Sequence, residues 1–127
     1  MALKKFALAG LAVLLSSPAF AGDLKGETVN AIEHAQYAAD ATSIDTAHMH
    51  LHHSLNCIVG PKGMGFDAKQ LNPCANAGNG IIPDSAGANK AALEAAAAKA
   101  RDGLASNDPA AVKADALSIV TTLKGLK

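Results

Sequence analysis

Apolar residues recur at helical intervals over four stretches of this chain. In residues 27–41, Val29, Ile32, Ala35 and Ala39 share one face, and no glycine or proline interrupts them. In residues 43–58 the apolar positions are Ile44, Ala47, Leu51, Leu55 and Ile58, and Gly60-Pro61 then supplies a terminator. A third stretch, 89–106, has Leu93, Ala97, Ala100 and Leu104 as its seam, and its alanines favour helix intrinsically. Asp108-Pro109 opens the fourth, 109–125. The aspartate can cap free backbone N–H groups, and proline at the first helical position loses no hydrogen bond. That helix carries Val112, Ala116, Ile119, Leu123 and Leu126 on one side.

The connections near Thr42 and Asn107 are short, so the pattern predicts two antiparallel hairpins. The hairpins are alike in outline, with Ala31-Ile32-Glu33 and Ala92-Leu93-Glu94 beginning comparable units. Packed face to face they make an all-α, up-and-down four-helix bundle. Residues 59–88 join them, and glycines and prolines leave no helical or strand period there. So long a connection is normally functional or disordered. A Cys57–Cys74 disulfide would close its first half and contribute roughly 3 kcal/mol in the chain-entropy account. The loop is expected to be ordered near Phe66, packing on the bundle end, and looser beyond Cys74.

The first 21 residues change the picture of compartment. Lys4 and Lys5, the apolar stretch Phe6 to Leu15 and the small-x-small Ala19-Phe20-Ala21 read as a secretory signal of bacterial type. The reading is therefore a signal peptide over 1–21 and a bundle domain over 22–127, periplasmic or secreted. Export makes the disulfide the default state of the two cysteines. Basic and acidic residues balance at 11 each, and the leader takes two lysines with it. A slightly acidic mature chain has no electrostatic pull toward nucleic acid or anionic membrane. Beyond the leader no apolar run approaches the ~20 residues of a spanning helix, so no membrane insertion is expected after cleavage.

Chemistry concentrates in His48-Met49-His50-Leu51-His52-His53, which holds four of the five histidines. With Leu51 at the centre of the buried stripe, His48 lies about 60° to one side and His52 about 100°. His50 lies about 100° to the other side, and Met49 and His53 point mostly outward. His48 and His52, four apart, project side by side and form the leading metal-ligand pair. Asp45, one turn earlier, is a candidate carboxylate ligand or an acceptor orienting an imidazole. Met49 with His53 is a softer i, i+4 pair suited to copper, and His50 is a further candidate. His34 falls opposite Ile32 on the first helix and reads as surface.

Other chemistries find no support. The sequence has no Cys-x-x-Cys-His for covalent haem, no Cys-x-x-Cys redox pair and no His-Glu-x-x-His helix. The glycines match no phosphate-binding or dinucleotide pattern, and a mid-helix Ser54 lacks the elbow that acyl transfer needs. An enzyme is not expected.

The exported, alanine-rich bundle with Ala-His-rich helices such as Glu33-His34-Ala35 resembles small periplasmic metal-binding proteins that form four-helix bundles. The resemblance spans residues 27–58 and 89–125. In this chain the histidines cluster on one helix, and the Cys57–Cys74 loop is an addition. The resemblance implies a metal-binding protein that buffers, delivers or confers resistance to copper, nickel or zinc, with another periplasmic protein as a further partner. Two alternatives stand beside it. One is a protein-interaction module built on the stapled loop with structural histidines. The other is noncovalent haem binding through His48 or His52.

Overall fold

The computed structural model describes residues 22–127. The secretory-signal reading concerns residues 1–21 and lies outside the described residues. Four long helices pair as expected: α1 (Leu24–Asp40), α2 (Ile44–Val59), α4 (Lys90–Ala105) and α5 (Pro109–Lys124), with a single turn of helix, α3 (Ile81–Asp84), inside the connection. The helices form a square. α1 packs on α2 and α5, and α4 packs on α2 and α5.

Local chemistry sets the helix ends. The Asp23 carboxylate accepts the Gly26 N–H at 2.9 Å, which starts α1 three residues before Glu27 despite the glycine. Ser43 caps α2 through the Thr46 N–H, and Asp108 caps α5 with Pro109 in its first turn. Gly60 ends α2 at φ +71°, where it meets the other end of the loop. A Cβ there would overlap the carbonyl oxygen of Asn79, so the close approach requires glycine.

The buried face of α1 differs from the one its larger apolar residues suggest. Val29 is 53% exposed, while Ala31, Ala35, Ala38 and Ala39 fill the interior. Small side chains let α1 lie close to α2 and α5, and the bulk of the core comes from Leu51, Leu55, Ile58, Leu93, Val112, Ile119 and Leu123. The contact of α2 with α4 is similarly close, because Gly103 leaves room for the Leu51 side chain.

Cys57 and Cys74, 17 residues apart, form a disulfide, and both are buried. The loop it closes is organised by the fully buried Asn56. Its amide nitrogen donates to the carbonyls of Asp67 and Leu71 at 3.0 and 3.1 Å, and its oxygen accepts the Asp67 N–H at 2.9 Å. Phe66 packs against the core as expected.

The expectation of a loose chain beyond Cys74 is overturned. Asp23 N–H donates to the Ala77 carbonyl at 2.6 Å, and Gly80 N–H donates to the buried Glu27 carboxyl at 2.8 Å. Asp84 accepts the Asn79 N–H at 2.8 Å, and Ile81, at the start of α3, is inserted into the core. The reason is a polar residue in the first turn of α1. Glu27 is buried and accepts the Gly80 N–H, while Asp84 of the glycine-rich segment itself accepts from Asn79.

Candidate metal centre

Three imidazoles converge where α1 meets α2. His34 comes from α1, and His50 and His53 come from α2, with one ligand atom of each lying within 4.8 Å of the other two. The Nδ1 atoms of His34 and His50 are 3.1 Å apart. Two nitrogens bound tetrahedrally to an ion at about 2.0–2.1 Å would lie about 3.3 Å apart, so this pair is already spaced for a shared ion. The ring of His53 stands edge-on to both partners, with centroids 5.0 Å from His34 and 5.6 Å from His50.

The turns of the two helices explain the meeting. Since α1 buries Ala31, Ala35, Ala38 and Ala39, His34 sits roughly 85° from the centre of that face, on the flank beside α2. His50 occupies the corresponding flank of α2. His53 lies further round, and Cys57 follows one turn later on the same side. The disulfide brings Cys74 to that side, and the neighbouring Pro73 carbonyl accepts from Asn30 of α1 at 3.5 Å. The loop thus crosses from α2 toward α1 beside His53, which is only 7% exposed.

The environment keeps these imidazoles neutral. Burial pushes His34 below the ordinary 6.5, with the nearby His50 adding to the effect, and burial also lowers His50. His53 is pushed down to about 4, first by burial and then by the positive charge His34, His50 and His52 would carry. The His34–His50 contact itself requires an unprotonated nitrogen on one of the two rings. His53 Nδ1 is buried with no hydrogen-bond partner. A neutral ring with an unused lone pair is the form in which histidine binds metal.

Tyr37, one turn after His34, forms the outer wall. Its ring lies 5.7 Å from His34 and 5.3 Å from His50. Its hydroxyl donates to Glu33 at 2.8 Å, and that carboxylate raises the phenol above its ordinary 10.0.

The fate of each sequence-derived candidate is clear from its flank. His50 and His53 join the cluster. His48 does not: its Nε2 is 2.8 Å from the Ser106 carbonyl, at the end of α4, and it links α2 to the α4–α5 turn. His52 lies on that same α4-facing flank, and its Nδ1 is buried without a partner. Asp45 is exposed and outside the cluster, and Met49 is exposed. His34, read as surface, is half-buried and central, because α1 is oriented by its alanines and not by Val29 and Ile32.

The disulfide fits an oxidising, extracytoplasmic compartment. Among the described residues no helix is long and apolar enough to cross a membrane. No family model, curated protein or solved structure matches the chain.

Proposed function

We propose that this is an exported metal-binding protein, which holds a late first-row ion at His34, His50 and His53 and buffers or delivers it in the periplasm. The observation that carries the reading is the convergence of three imidazole nitrogens from two helices within 4.8 Å. Borderline ions such as copper, nickel and zinc suit an all-imidazole donor set, whereas magnesium and calcium require oxygen. The role is binding and not turnover, with copper, nickel and zinc as the cargo to test.

Equilibrium dialysis of the oxidised protein against each ion tests it. Saturable binding is expected, with at least a tenfold loss of affinity in His34→Ala and in His53→Ala. His48→Ala is expected to leave affinity unchanged, since that ring is committed to the Ser106 carbonyl. Undiminished binding in His34→Ala, or none in the parent protein, overturns the proposal.

A further inference from the structure

Three donors do not complete a tetrahedral site, and the position left over is informative. Among the described residues no carboxylate or thiol joins the three histidines. Both cysteines are in the disulfide. Glu33, the residue before His34 on α1, accepts the Tyr37 hydroxyl. Asp45 is exposed and more than a turn ahead of His50 on α2. The ligands the chain supplies are therefore neutral, and the nearby Glu33 carboxylate acts on the site through its charge on His34 without being a ligand.

His53 forms the buried floor of the cluster, while His34 and His50 are partly exposed and Tyr37 at their side is 46% exposed. The unfilled side of the cluster thus opens toward solvent. A dication held by neutral ligands in a partly desolvated site attracts a negative donor far more strongly than a neutral one, because the attraction is less screened there than in bulk water.

From this geometry we infer that an ion held by His34, His50 and His53 takes its fourth ligand from outside the chain, and that this ligand is a small anionic donor. The inference rests on the metal-binding reading above and deepens it. A closed four-ligand site stores an ion, whereas a three-ligand site with an exchangeable position lets an incoming donor attach before the imidazoles let go. Such a position suits delivery to an acceptor that presents a carboxylate or thiolate.

Cobalt provides the readout, since its visible absorption reports coordination number and ligand type. The oxidised protein is loaded with Co²⁺ and titrated with azide, with Tyr37→Phe examined in parallel. A tetrahedral cobalt spectrum that shifts saturably with azide, equally in the parent and in Tyr37→Phe, supports the inference. A cobalt spectrum unmoved by azide shows the fourth position closed and overturns it while leaving the metal site standing. A phenolate-to-metal band that vanishes in Tyr37→Phe shows that the chain fills the position itself, which also overturns it. No cobalt spectrum at all removes both the inference and the reading beneath it.

Discussion

His34 shows how a single residue is misjudged from sequence. Its helix contains two large apolar residues, Val29 and Ile32, and orienting the helix by them turns His34 outward. The fold instead buries Ala31, Ala35 and Ala38 and leaves Val29 at 53% exposure. In an alanine-rich helix the largest apolar residue is a poor guide to the inner face, because close helix approach selects the smallest side chains. His50 and His53 were legible as candidate ligands from their density alone, but the partner helix was not. The same neighbours govern the pH response. A metal competes with protons for each ring, so affinity falls on acidification. As His34, His50 and His53 all sit below 6.5, with His53 at about 4, the fall is expected at lower pH than for exposed imidazoles. Metal affinity measured from pH 7.5 down to 4.5 checks this. A midpoint at or above 6.5 contradicts it.

At the scale of elements, the helices were readable and the connection was not. Periodicity, Gly60-Pro61 and Asp108-Pro109 placed four helices to within a few residues, and the one-turn α3 escaped because four residues carry no period. What orders the loop beyond Cys74 is a polar contact of long sequence separation, Glu27 to Gly80, which no local pattern announces. Glu27 is buried, its second oxygen has no partner, and burial raises it from 4.5 to about 7, with Asp84 and Asp23 adding repulsion against the Gly80 hydrogen bond. The folded protein therefore holds this proton more tightly than the unfolded chain does. Stability from Glu27 is fully present below about pH 4.5 and is lost as pH rises through about 7, by up to about 3 kcal/mol. His53 acts with the opposite sign, losing stability as pH falls from 6.5 toward 4. Comparison with Glu27→Gln separates the two: the variant is expected to lack the loss between pH 4.5 and 7 in urea unfolding while keeping the acid-side loss. An unchanged alkaline-side slope in the variant removes Glu27 as its cause.

For the molecule as a whole, the bundle follows from spacing and turns, and its four-sided packing from the two short hairpins. Its core is thin, since alanines supply much of it, and the buried disulfide adds a constraint worth roughly 3 kcal/mol over its 17-residue separation. The three-histidine group that could hold a metal is a product of this assembly and not of α2 alone, because one of its rings arrives on α1. Nitrogen NMR of ¹⁵N-labelled imidazoles during zinc titration of the oxidised protein tests that most directly. The account predicts coordination shifts at His34, His50 and His53 together, with His48 unmoved. Shifts confined to His48 and His52, or none at any ring, would contradict it.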